Sequence, residues 1–231
     1  MPVHVEREGA VGFLRLDRPD KAHAYDAAHL FALEAGGLTL AGCAVIVVES
    51  TGDRAFCGGA DRQAIAGAGP LDALDLLSQR VFTGLARLPA VLIVAVQGAA
   101  IGGGCELSLA CDLRVAGPLA RFGLPETALG MVPAAGGTTR LARLVGVSRA
   151  KEVILGGREL DAATALAWGL VHRVAANPRA EARVWAQALL TRDPVAMAFA
   201  KQLLDADESA AALARERVVE SMLYARRPKR A

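Results

Sequence analysis

Two short runs in this 231-residue chain are apolar at every position, Val-Ile-Val-Val at 45–48 and Val-Leu-Ile-Val-Ala-Val at Val91–Val96. A strand that is apolar on both faces has to be covered on both faces, as happens in the parallel sheets of layered α/β folds. Each run leads towards a glycine cluster. The first passes through Thr51-Gly52-Asp53 to Cys57-Gly58-Gly59-Ala60, and the second reaches Gly102-Gly103-Gly104 with Glu106 just beyond. Strand, glycine loop, then helix is an arrangement that leaves backbone N–H groups unpaired at the helix start. Composition agrees with a close-packed core. Hydrophobic residues make up 53% of the chain, aromatic residues only 4%, and 48 residues are alanine. Side chains this small bring backbones close together.

The rest of the chain fits the same plan. Val3–Val5 and Val11–Leu16 flank Glu8-Gly9 as a β-hairpin, and Arg18-Pro19-Asp20-Lys21 is a turn. Asp26 caps a helix to about Glu34, with Leu30, Leu33 and Phe31 as its apolar stripe and Gly36-Gly37 as its end. Helical periodicity spans 71–88 through Leu74, Leu77, Val81 and Leu85, and Pro89 stops it. A helix is expected over 105–110, a short strand at 113–115 and a helix after Gly136-Gly137. From residue 148 the pattern is helical, over 150–155, 162–168, 180–190, Pro194–Leu204 and 209–224, with a basic tail at 226–230. Strands and helices therefore interleave to about 147, and helices alone are expected after it.

Several classes are disfavoured. A net charge of +2, with 22 arginines and 4 lysines, is too mild for a nucleic-acid partner. The N-terminal residues lack the pattern of a secretory leader, and Val91–Val96 is too short to span a membrane. Cys43, Cys57, Cys105 and Cys111 have no CxxC spacing, and His4, His23, His29 and His172 are dispersed, so no metal site is expected. Scattered cysteines read as reduced thiols of a cytoplasmic protein.

The two glycine loops bear on chemistry. If they meet, two N–H donors converge on one point and stabilise an oxyanion such as a thioester enolate. A single glycine loop is ordinarily a tight turn. A nucleotide loop does not fit, because Gly102–Leu107 reads GGGCEL, without the third glycine of GxGxxG or a Walker lysine. Glu106 and Glu126 both sit in apolar surroundings, where burial raises a carboxyl pKa and suits it to proton transfer near neutral pH. Each also has a plainer reading. Glu106 is favoured at a helix N-terminus by the dipole, and Glu126 suits a cap or a salt bridge.

In this order the pieces resemble the enoyl-CoA hydratase/isomerase (crotonase) family. The matching stretches are RPDKAHAYD (18–26), AFCGGAD (55–61), LPAVLIVAVQGAAIGGGCELSLACDLRVA (88–116), RFGLPETALGMVPAAGGTTRLARLVG (121–146) and DAATALAWGLVHRV (161–174). The resemblance implies an α/β fold, a spiral of ββα units over residues 1–175 carrying the active site. It also implies a helical region over 176–231 that drives trimerisation, often as a dimer of trimers. It places the oxyanion-hole N–H groups at Gly58 and Gly103. Glu106 falls on the residue that activates water, and Glu126 on the one that serves the α-carbon. Lys21, Ala22, Ala24, Ala60, Asp61 and Arg62 match the segments against which coenzyme A lies, with Lys21 and Arg62 as phosphate partners. The implied activity is hydration of a 2,3-enoyl-CoA to a 3-hydroxyacyl-CoA; the alternatives are double-bond isomerisation, hydrolysis of a thioester or C–C bond, or a non-catalytic acyl-CoA-binding subunit. The acyl-CoA is substrate and no separate cofactor is required.

The chain departs from the family pattern at His23-Ala24-Tyr25-Asp26, where a small amide and an apolar residue are usual. His23 and Tyr25 are therefore candidate substrate contacts. Ala64, Ile65, Val81, Leu85, Met131 and Val132 are candidates for the acyl pocket or simply core. At 231 residues the chain is also short for the family, which leaves the acyl group open.

Overall fold

The computed structural model describes residues 3–66 and 76–205. Strands β1 (Val3–Glu8) and β2 (Val11–Leu16) form the expected hairpin, with Gly9 at φ +62° in its turn. Helix α1 (Ala27–Thr39) follows, and Asp26 caps it by accepting the His29 N–H at 3.1 Å. Then come β3 (Val45–Ser50), β4 (Ala55–Cys57), α2 (Arg62–Ala66), α3 (Leu77–Ala86), β5 (Val91–Val96), β6 (Ala99–Ile101) and α4 (Gly103–Ala110). Next are β7 (Leu113–Ala116), β8 (Arg121–Gly123), a 3-10 turn at Glu126–Leu129, α5 (Gly137–Val145) and α6 (Val147–Ile154). The described chain ends with β9 (Leu160–Asp161), α7 (Ala162–Ala167), β10 (Arg173–Val174), α8 (Pro178–Leu189) and α9 (Pro194–Leu204).

Six strands form one sheet in the order β1-β2-β3-β5-β7-β10, parallel apart from the hairpin. Its strands alternate between two cores. Leu14, Ile46, Val48, Leu92, Val94 and Val96 face the main core with α1, α3 and α4. Phe13, Val45, Val47, Ile93, Ala95 and Val115 face Ala182 and Ala186 of α8. This is why the runs at 45–48 and Val91–Val96 are apolar at every position. A smaller sheet, β4-β6-β8-β9, stands beside the first and carries the glycine loops at its strand ends.

Some expectations are corrected. Gly36-Gly37 does not end α1, which runs on to Thr39. Both glycines are buried inside the helix, and a Cβ on Gly36 would lie 2.9 Å from Val5 Cγ2, so they admit close packing. Leu30 and Leu33 are buried as expected, whereas Phe31 is exposed. The glycine-rich stretch 56–61 reads as a loop, but its first two residues belong to strand β4, and α4 begins two residues earlier than read, at Gly103. The region after 147 is not purely helical, since β9 adds to the small sheet and β10 to the large one. These strands have two or three residues, too few to show a period. The start of the 71–88 helix, with Leu74, lies outside the described residues, as do the 209–224 helix and the basic tail. No described helix is long and apolar enough to cross a membrane.

Space around glycines gives a direct test. Gly84, in the interior of α3, has nothing within 4 Å of an added Cβ, so Gly84→Ala should raise stability by about 0.5–1 kcal/mol. A Cβ on Gly98 would strike the Arg54 backbone, its carbonyl carbon at 2.5 Å, so Gly98→Ala should lower stability by about 1–3 kcal/mol. Urea unfolding of the two variants measures both.

Candidate active site

The first loop is zipped to residues 22–25. Gly58 N–H donates to Ala22 O (2.8 Å), Tyr25 N–H to Gly59 O (2.9 Å) and Asp61 N–H to Tyr25 O (2.8 Å). Ala60 thus forms a parallel bridge with Tyr25. In such a ladder a residue between two bonded neighbours turns its own N–H to the opposite side. Gly58, expected to offer a free donor, is therefore committed to Ala22. The N–H that faces away from residues 22–25 belongs to Ala60.

The second loop leaves β6 at Gly102, φ +56°, and α4 starts at Gly103. The Gly103 N–H belongs to the first turn and has no intrahelical carbonyl to bond. The loops touch. A Cβ on Gly59 would lie 3.1 Å from Gly103 N, and one on Gly104 would collide with the Cys57 carbonyl oxygen. The Tyr25 hydroxyl fills the place a Cβ on Gly103 would take, and the Ser78 side chain at the start of α3 is close enough to lower its pKa slightly against the effect of burial. The Tyr25 ring meets Phe82 edge-on at 5.7 Å.

Glu106 lies on the first turn of α4, 4% exposed, and its Oε1 accepts the Gly137 N–H at 2.9 Å. Glu126 starts the 3-10 turn after β8, with Oε1 3.2 Å from where Gly102 would carry a Cβ. Its Oε2 is buried and bonds no described residue. Burial pushes the Glu106 carboxyl up to about 7, with the Glu126 charge adding to the rise. Burial raises Glu126 as well. Burial, reinforced by charge at both glutamates, keeps the Tyr25 phenol neutral.

The remaining expected residues divide. Lys21 and Arg62 are exposed on segments joined by the Tyr25–Ala60 bridge. Asp61 accepts the Gln63 N–H (3.0 Å) and pairs with Arg18 (3.1 Å), so it fixes the turn into α2. Ala22 at φ +50° supplies the carbonyl for Gly58, and the Ala24 carbonyl holds Arg18. His23 does not reach the site. It is buried, its Nδ1 accepts the Arg18 N–H (3.0 Å), and its Nε2 bonds the Thr51 carbonyl (2.9 Å). Met131 and Val132 follow the Glu126–Leu129 turn in the chain and are exposed. Val81 and Leu85 are sealed in the core, Ala64 is exposed, and the Ile65 side chain lies outside the description. The four cysteines are buried free thiols, and the described residues contain no cluster fit for a metal. Ser78 was missed by sequence reading, since a lone serine at a helix start carries no distinguishing signal.

A buried carboxyl and a half-buried one beside an unpaired helix-start N–H form an arrangement chemically suited to proton transfer. The profile of the enoyl-CoA hydratase/isomerase family matches residues 6–231, and the chain belongs to that family. It is 44% identical over 163 residues to the putative enoyl-CoA hydratase/isomerase YngF of Bacillus subtilis, covering 68% of this chain and 62% of that one. It is 33% identical over 214 residues to the short-chain-enoyl-CoA hydratase of Clostridium acetobutylicum, covering 88% and 80%. The crystal structure of enoyl-CoA hydratase from Bacillus anthracis superposes with a TM-score of 0.92 at 31% identity, covering 97% of this chain and 92% of that one. A putative enoyl-CoA hydratase from Thermobifida fusca, solved in complex with CoA, gives a TM-score of 0.88 at 32% identity, covering 97% and 93%. The fold is thus the crotonase fold.

The raised Glu106 carboxyl has a consequence for stability. Its pKa is about 7 in the folded chain against an ordinary 4.5. Between those values the unfolded chain loses the proton first, so the native state weakens as pH rises and the loss is complete above about 7. Glu106→Gln should therefore be more stable than the parent at pH 8, by about 1–3 kcal/mol, and equal to it at pH 4. Denaturant unfolding at the two pH values is the measurement.

Proposed function

We propose that the protein is a lyase that adds water across the C2=C3 bond of a 2,3-enoyl-CoA thioester. The observation that carries this reading is the pair of carboxyls with raised pKa near the second glycine loop, the buried Glu106 on its helix and the half-buried Glu126 against Gly102. When two carboxyls interact, loss of one proton makes the second harder to lose. Near neutral pH such a pair offers one carboxylate and one carboxylic acid together.

In this mechanism Glu106 takes a proton from water as the hydroxyl oxygen bonds to C3. Electron density moves through C2 to the thioester oxygen, which the N–H groups of Gly103 and Ala60 receive. Glu126 then gives its proton to C2, and the product is the 3-hydroxyacyl-CoA. Ala60 replaces Gly58 as donor because the Gly58 N–H is already bonded. The backbone of Lys21, Ala22, Ala24 and Ala60 and the exposed cations Lys21 and Arg62 form the coenzyme A face. Asp61 supports that face from behind. Tyr25 with Ser78 contacts the substrate beside Gly103, while Met131 and Val132 border its entrance. The protein acts in the cytoplasm, in keeping with its free thiols, as a homotrimer or a dimer of trimers.

Hydration is followed by loss of enoyl absorbance with crotonyl-CoA and longer enoyl-CoAs. Glu106→Ala and Glu126→Ala should each lower kcat at least 100-fold. Retained rates, or products with only a shifted double bond, would sink the reading in favour of another chemistry of the family. The kcat profile should be bell-shaped, falling at low pH as both carboxyls protonate and at high pH as both ionise. Gly58→Ala should stay within a few-fold of the parent, because its Cβ finds 3.4 Å to the nearest atom and its N–H is not used in catalysis. Tyr25→Phe should change KM more than kcat, read from initial rates across acyl groups.

A further inference from the structure

We infer that Arg140 is a positioning residue, holding the turn through which the Gly137 N–H grips Glu106. The inference rests on the hydration reading above for its catalytic meaning, while its structural part stands on geometry alone. Arg140 lies on the first turn of α5, and its guanidinium folds back over that turn. Nη1 donates to the Ala135 carbonyl at 2.9 Å, and Nη2 donates to Thr83 Oγ1 on α3 at 3.2 Å. Its backbone N–H donates to the Gly136 carbonyl at 2.9 Å. The guanidinium occupies the space a Cβ on Gly136 would need, and Gly136 stands at φ +104°. The residue that follows, Gly137, gives its N–H to Glu106 Oε1 at 2.9 Å. One side chain thus ties three things together: the 135–137 turn, the pocket-side helix α3, and through the turn the carboxylate proposed to activate water.

Arg140 acts on Glu106 in two ways. It fixes the turn whose Gly137 N–H bonds and orients the carboxyl. It also places a half-buried positive charge near a carboxyl that burial would otherwise keep protonated. The backbone N–H groups of Gly137 and Ala135 also favour its ionised form, the Glu126 carboxyl opposes it, and the Tyr25 phenol and the Cys105 thiol are neutral. Arg140 is then the cation that adds to these N–H groups in favouring the ionised form of Glu106. Lysine is not equivalent, because a single ammonium cannot span the Ala135 carbonyl and the Thr83 hydroxyl as a planar fork does.

The test uses the full chain, with Glu side-chain carbons labelled with 13C and the Glu106 signal assigned by its loss in Glu106→Gln. Arg140→Met should raise the Glu106 titration midpoint by at least half a pH unit. It should move the acid limb of the kcat profile by the same amount and lower kcat at least tenfold, with KM within about threefold. Arg140→Lys should keep the midpoint nearer the parent value yet still lose kcat, because it keeps the charge and not the fork. Circular dichroism and unfolding midpoints accompany each variant. An unchanged Glu106 midpoint in Arg140→Met overturns the inference, as does a kcat that falls only in proportion to the folded fraction. Should Arg140→Met fail to fold, Arg140→Lys decides alone: a kcat equal to the parent overturns the inference. If the parent turns over no enoyl thioester, the hydration reading fails, and the 13C titration still decides what Arg140 does to Glu106.

Discussion

The site depends on volume that has been left out of the backbone. Each polar group stands where a Cβ would be. The Cys57 carbonyl takes that place at Gly104 and the Tyr25 hydroxyl takes it at Gly103. Glu126 Oε1 lies against it at Gly102, and Glu106 Oε1 lies 2.9 Å from it at Gly137. Glycine serves here chiefly by what it lacks, and only Gly59, Gly102 and Gly136 add a positive φ that other residues rarely adopt. The two loops meet because their backbones, rather than their side chains, form the contact. A substrate oxygen can then come within hydrogen-bonding distance of main-chain N–H groups.

That closeness sets the electrostatics. Two carboxyls are packed close together, one buried and one half-buried, and burial raises both. Glu106 is offset by one backbone N–H, while Glu126 keeps a buried oxygen that no described residue satisfies. A group left in this state weakens the folded chain. The layered core carries that cost. The apolar strands β3 and β5 are sealed between α8 on one side and the main core on the other. The Lys201–Asp112 pair (2.8 Å) joins α9 to the loop before β7, with Lys201 also donating to the Ala90 carbonyl. The site concentrates strain and charge in loops, and the sheet supplies the rigidity against which they are held.

Much of this was legible in the sequence because it follows from side-chain chemistry. The apolar runs announced buried parallel strands, Asp26 announced a cap, and GGGCEL placed a carboxylate at a helix start beside bare backbone. What was not legible follows from pairing between distant segments. Gly36 and Gly37 read as a helix end, yet they sit inside α1 because neighbouring side chains need their space. Strands β4, β6 and β8 have three residues each, too few to show a period. Gly58 looked like a donor because it is a glycine in the right loop. Which N–H of that loop stays free is decided by its ladder with residues 22–25, and nothing local to Cys57-Gly58-Gly59-Ala60 encodes that register.

The register itself has a cause outside the site. Ala22 and His23 both stand in the left-handed region, at φ +50° and +57°, and they turn the chain so that Tyr25 can pair with Ala60. A side chain tolerates that conformation best when it is Asn, Asp or His, which explains why a histidine can stand where the resemblance leads one to expect a small amide. The ring then holds the turn. Nδ1 takes the Arg18 N–H, Nε2 bonds the Thr51 carbonyl, and burial keeps the imidazole neutral so that Nδ1 remains an acceptor. Arg18 passes the constraint on through its pair with Asp61, directly after Ala60. His23 thus touches no reacting group, yet it shapes the segment that sequesters the Gly58 N–H and leaves the Ala60 N–H facing away. His23, a candidate substrate contact in the sequence, instead helps to determine which backbone N–H of the 57–60 loop is left facing away from residues 22–25.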